Sequence, residues 1–232
     1  MSHPAPLPAE QAVRPVCIIV GAGPGIGQAV ALAFAREGCD VALLARTPLR
    51  LQALCEEIRI KTGRRARAYA ADAASESALI AGIEAARADL GDPDVLVYNV
   101  ATHEPGRPLS VPIPHLIEDF RINVVGALIA ARAVAPAMIA RKRGTILFTG
   151  GGFAYEPAAD YASLSMDKAA LRSLTYTLAQ DLGQHGIHVA TVTVHGFVQP
   201  GTAFDPHNIA AAYIALYRQP RGHFEIETVY KK

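Results

Sequence analysis

The chain has almost no net charge. Its 22 lysines and arginines stand against 21 aspartates and glutamates, leaving +1 over 232 residues. No broad basic field is therefore offered to nucleic acid or to an anionic membrane. Cysteine is scarce too. Cys17, Cys39 and Cys55 are odd in number and lack metal-ligand spacing, so they read as small apolar residues in a reducing compartment. An unbroken apolar run of membrane length is also missing. The most apolar segment, residues 123–140, is interrupted by Arg132 and Pro136 and reads as a buried or interface helix. Residues 1–15 are rich in Pro and Ala and carry no apolar stretch of the kind a leader or anchor needs. They are expected to form a flexible tail ahead of one domain over 16–232, in a cytoplasmic protein.

What the chain does have is an alternation of strand and helix signals, with hydrophobic residues making up 51% of the sequence. Short apolar runs at 16–20, 40–45, 66–71, 94–98, 145–149, 188–194 and 224–229 are expected strands. Helical patterns at 26–37, 48–61, 75–89, 114–140, 163–184 and 208–217 separate them. Strands joined by helix-length crossovers give an α/β fold with a doubly wound parallel sheet of about seven strands. No internal repeat and no second-domain boundary interrupts the pattern.

The first strand runs into "VGAGPGIGQAV". The fingerprint G-x-G-x-x-G is not satisfied, because Ile26 stands where its last glycine belongs; Gly21, Gly25 and Gly27 instead fit G-x-x-x-G-x-G. A glycine-rich turn opening a helix after a buried strand suits a dinucleotide diphosphate, which meets bare backbone and aligned N–H groups there.

With that spacing the chain resembles the short-chain dehydrogenase/reductase (SDR) family over nearly its whole length after the tail. "GAGPGIG" is similar to the family's first motif, and Asp72 matches the aspartate placed near the adenine. "YNVA" at 98–101 resembles a degenerate NNAG that keeps Asn99, and Asn123 matches the helix-four asparagine. "VHGFV" at 194–198 corresponds to P-G-x-V, with His195 in place of proline. The resemblance implies a Rossmann-type sheet of order 3-2-1-4-5-6-7, a small-molecule carbonyl or alcohol substrate, and a homodimer or homotetramer packed through the two long helices. The short stretch after strand six leaves little room for the family's helical lid, so the pocket is expected to be open or completed by a neighbouring subunit.

An acid ending strand two would favour NAD(H) by accepting from the ribose 2′-OH. Here that position is Ala45, followed by Arg46. A guanidinium pairs with a 2′-phosphate, so NADP(H) is favoured over NAD(H), with Arg50 as a helper.

The family's proton donor is a tyrosine four residues before a lysine, on the same helix face, with a serine about thirteen residues further back. The resemblance places Lys168 at the lysine; the tyrosine position is then Leu164 and the serine position Gly151. Aligning on Tyr161 instead would leave Lys168 two turns away, about 10 Å along the axis. Leucine transfers no proton, so the usual mechanism does not carry over. Candidate substitutes are Ser165, Ser163, Tyr161 and His195, with Tyr155 and Asp160 weaker. Lys168 and Asn123 complete the candidate catalytic set; in the family the lysine also binds the nicotinamide ribose, and the asparagine holds a water leading to it. The alternative to an oxidoreductase is a non-catalytic NAD(P)-binding sensor or assembly protein; a lyase-type reaction is a third reading that nothing selects.

Overall fold

A computed structural model describes residues 14–231. The expected tail at 1–15 falls outside them except for its last two positions. Strand β1 (Val16–Val20) is apolar throughout because both its faces are buried. Cys17 and Ile19 join one core, while Val16, Ile18 and Val20 join the other, following the two-residue period of a strand. Helix α1 (Ile26–Arg36) returns the chain to β2 (Asp40–Ala45). A 3₁₀ turn at Pro48–Leu51 and α2 (Gln52–Thr62) lead to β3 (Ala66–Ala70), and α3 (Glu76–Leu90) crosses back to β4 (Val95–Tyr98).

The expected helix over 114–140 is one helical course with an irregular middle. It comprises α4 (Ile113–Phe120), a π turn (Arg121–Val125) and α5 (Gly126–Arg141). The buried Tyr98 hydroxyl donates to the Ile122 carbonyl at 2.5 Å, taking that group out of the regular ladder. By length and composition the stretch Ile113–Arg141 could cross a membrane, with 44% of its most apolar window buried. Here α5 lies against α3, β4 and β5 as a core helix.

β5 (Gly144–Gly151), α6 (Ala162–Gly183), β6 (Ile187–Val194), α7 (Pro206–Tyr217) and β7 (Glu227–Tyr230) complete the fold. All seven strands are parallel, in the order β3-β2-β1-β4-β5-β6-β7, as expected. Helices α1, α2 and α7 cover one face, and α3, α5 and α6 the other. The chain order reverses between β1 and β4, which opens a crevice at the strands' C-terminal ends. Ligands of open α/β sheets bind there.

Candidate active site

The turn after β1 is built for a close approach. Gly25 caps α1 at φ +94; no side chain caps the helix, and nothing lies within 4 Å of where a Cβ would stand. A Cβ on Gly27, by contrast, would collide with the Gly21 carbonyl oxygen, so only glycine lets α1 sit this close to the strand. Uncapped amides at a helix N-terminus, with open space in front of them, fit a diphosphate.

A hydrogen-bond chain links this turn to the lysine. Asn99 Nδ2 donates to the Gly21 carbonyl (2.9 Å), and Asn99 Oδ1 accepts from Thr149 Oγ1 (2.8 Å). Lys168 Nζ donates to the Thr149 carbonyl at 2.8 Å. With the Thr149 proton committed to Asn99, the Tyr213 hydroxyl, 2.6 Å away, donates to Thr149. Lys168 is only 6% exposed. Removing its ammonium from water lowers its pKa to about 8, against the opposing pull of Asp167.

Lys168 faces a cavity of about 430 Å³ at the C-terminal edge of the sheet. Ile26, Tyr161, Leu164, Glu156 and His195 share its wall with Gly150, Gly151 and Gly152. Tyr161 stacks on Phe153 with ring centroids 5.6 Å apart, and tilts against His103 at 5.9 Å. His195 Nε2 stands 3.3 Å from Glu156 Oε2. A larger depression, about 630 Å³, lies at the opposite edge of the sheet. Its Arg141 and Arg143 are engaged with residues 92–94, away from the strand ends where ligands bind.

Four expected residues, Ser165, Asn123, Ser163 and Tyr155, are committed elsewhere. Ser165 Oγ donates to the Tyr161 carbonyl (2.8 Å) and accepts from the Ala158 N–H (3.1 Å); it lines a neighbouring apolar groove rather than the Lys168 cavity. The Asn123 side chain holds both backbone groups of Thr102 and donates to Asp167 Oδ2, each at 2.8 Å. One turn away, Ser163 donates to Asp119 at 2.7 Å. This buried ladder joins α4 and the π turn to α6, and burial pushes the Asp167 carboxyl up to about 6 despite the Asn123 donor. Tyr155 bonds Glu227 outside the cavity. Arg46 is exposed at the end of β2, with no hydrogen-bond or ion-pair partner among the described residues. Asp72, after β3, accepts from the Ala74 N–H at 3.0 Å and shapes the turn into α3.

Thr149, Glu156 and Asp167 escaped sequence reasoning. Their partners lie 50, 39 and 44 residues away, and no local spacing announces them.

Comparison with known proteins finds relatives of the whole fold. The short chain dehydrogenase family model matches residues 15–205. An uncharacterized oxidoreductase of Mycobacterium tuberculosis is 34% identical over 168 residues, 72% of this chain and 64% of that protein. A very-long-chain 3-oxoacyl-CoA reductase of Podospora anserina is 31% identical over 191 residues, 75% of this chain and 52% of that one. The matched stretch thus spans between half and two thirds of these curated relatives. Among solved structures, a metagenomic short-chain oxidoreductase in complex with NADP superposes with a TM-score of 0.85 at 32% identity, covering 93% of this chain and 96% of that one. The chain belongs to the short chain dehydrogenase family.

Proposed function

We propose that the protein is an NADP(H)-preferring oxidoreductase that reduces a small carbonyl compound or oxidises the corresponding alcohol, with Leu164 and Gly151 where the family's catalytic tyrosine and serine stand. The observation that carries this reading is the path from the Gly21 carbonyl, in the turn that opens α1, through Asn99 and Thr149, to the Lys168 ammonium. The residues fit the cofactor: the 21–27 turn for the diphosphate, Arg46 for a 2′-phosphate, Asp72 beside the adenine and Lys168 for the nicotinamide ribose. A bound reduced nicotinamide supplies the hydride. The NADP complex of the metagenomic relative supports the choice of nucleotide.

The protein's own groups exclude water and orient. Leu164 and Val194 give the cavity an apolar wall, and Lys168 is held in place by Thr149. Exposed apolar side chains on α4 and α6, namely Ile113, Ile117 and Met166, support assembly into a homodimer or homotetramer.

Fluorescence titration with NADPH and NADH, followed by NADPH consumption over a panel of aldehydes and ketones, tests the reading. Tight NADPH binding is expected, with turnover well above that of a Lys168→Ala variant. No binding at millimolar NADPH, or turnover equal to that of the variant, would defeat it.

A further inference from the structure

We propose that His195, with Glu156 beside it, is the proton donor of this site. The inference rests on the oxidoreductase reading above and supplies the acid that Leu164 cannot. His195 and Glu156 line the same cavity as Lys168, and the end of β5 is cut back to admit them. A Cβ on Gly151 would stand 3.3 Å from the Lys168 stem, and one on Gly152 would collide with the His195 ring. The glycine at 152 is what lets the imidazole lie over this backbone.

An isolated ion pair with Glu156 77% exposed would be worth little. This pair is braced from below. Glu227 on β7 accepts from Thr193 Oγ1 (2.6 Å), two residues before His195, and from the Tyr155 hydroxyl (2.7 Å), next to Glu156. Arg172 Nε donates to the same carboxylate at 2.8 Å, and its guanidinium lies 4.7 and 4.6 Å from the rings of Tyr155 and Tyr176. Burial acts to raise the Glu227 carboxyl. Its donors, Thr193 first, together with the Arg172 charge, outweigh that and hold it below the ordinary value. The backbone N–H of His195 donates to the Tyr230 carbonyl at 2.9 Å. Both segments that carry the pair are thus tied to one strand, which is the positioning that acid catalysis requires.

The competing groups fit less well. Tyr161 is two turns from Lys168, about 10 Å along the axis, beyond the reach of the ammonium that would make a phenol a ready donor. Ser165 is spent on backbone. His195 already lines the cavity beside Lys168, and a ring N–H is a usual general acid.

In the proposed step the carbonyl oxygen displaces the long 3.3 Å contact and accepts from His195 Nε2. The N–H bond breaks and the product O–H bond forms as the carbonyl carbon receives the hydride. The two electrons come from the nicotinamide, which is left oxidised, and the neutral imidazole recovers its proton from solvent beside Glu156.

The test compares His195→Gln, Glu156→Gln and Tyr161→Phe with the native chain by turnover, NADPH dissociation constant and thermal midpoint. His195→Gln is expected to lower kcat by roughly 10²–10⁴-fold, with NADPH affinity and thermal midpoint retained. Glu156→Gln should lose less, and added imidazole should restore turnover to His195→Ala. The proposal is overturned if His195→Gln keeps kcat within about threefold, if its loss is matched by weaker NADPH binding, or if Tyr161→Phe loses as much. Failure of the native chain to bind NADPH overturns the cofactor reading itself. Binding with a silent His195→Gln removes only the donor assignment.

Discussion

A methyl group on Gly25 and one on Gly27 would act differently. At Gly25 the added Cβ meets no protein atom, and the strain is that of a positive φ, about 1–2 kcal/mol. At Gly27 it strikes the Gly21 carbonyl and separates α1 from β1. Gly27→Ala should therefore lower the thermal midpoint more than Gly25→Ala, while both abolish tight NADPH binding in fluorescence titration. Arg46→Asp replaces the proposed partner of a 2′-phosphate with a repelling charge, and is expected to weaken NADPH by roughly tenfold or more while leaving NADH little changed. These residues were legible in the sequence because the turn and the end of β2 are local features, fixed by neighbours a few positions away. Glu156 was not. Its meaning comes from His195 across the cavity and from Glu227 beneath both.

At the scale of elements, the backbone of the π turn accepts a hydrogen bond from a distant side chain, Tyr98. Removing the Tyr98 hydroxyl leaves the Ile122 carbonyl without its donor, a loss of about 1–3 kcal/mol. Tyr98→Phe should show that loss in urea unfolding, with faster amide exchange over 121–126. The helix over 114–140 was readable from its apolar pattern, but this irregularity was not, since its cause sits 24 residues upstream. Strand β5 likewise runs on to Gly151 because β6 pairs with both Gly150 and Gly151, and pairing overrides the poor strand propensity of glycine.

The ladder between the π turn and α6 adds a pH dependence. The fold holds the Asp167 proton more tightly than the unfolded chain does, at about 6 against an ordinary value near 4. Its contribution is therefore intact below about pH 4 and is lost as pH rises through about 6. Asp167→Asn keeps an acceptor for Asn123 and should flatten that slope, gaining on the order of 2 kcal/mol over the native chain at pH 7. Urea unfolding at several pH values measures it.

For the whole molecule, the parallel order and the two covered faces followed from apolar runs separated by helix-length crossovers, and the resemblance supplied the sequence of strands. What folding adds is convergence: the turn after β1, the glycines ending β5, the start of α6 and the loop after β6 meet at one edge. A ligand binding there stabilises the fold as a unit. NADPH at a hundred times its dissociation constant contributes about 2.7 kcal/mol, which for a domain of this size is a rise of roughly 5–10 °C in thermal midpoint. A differential scanning fluorimetry series over nucleotide concentration reads it directly.

Thr149 offers its hydroxyl to Asn99 and its carbonyl to Lys168, so a single residue fastens the proposed nucleotide grip to the proposed chemical centre. Any redesign that reshapes the first glycine turn for another coenzyme will tug on the ammonium through that fastening. Across a library of such variants, coenzyme choice and catalytic rate should therefore drift together, and Thr149→Val is the change that would let them be tuned apart.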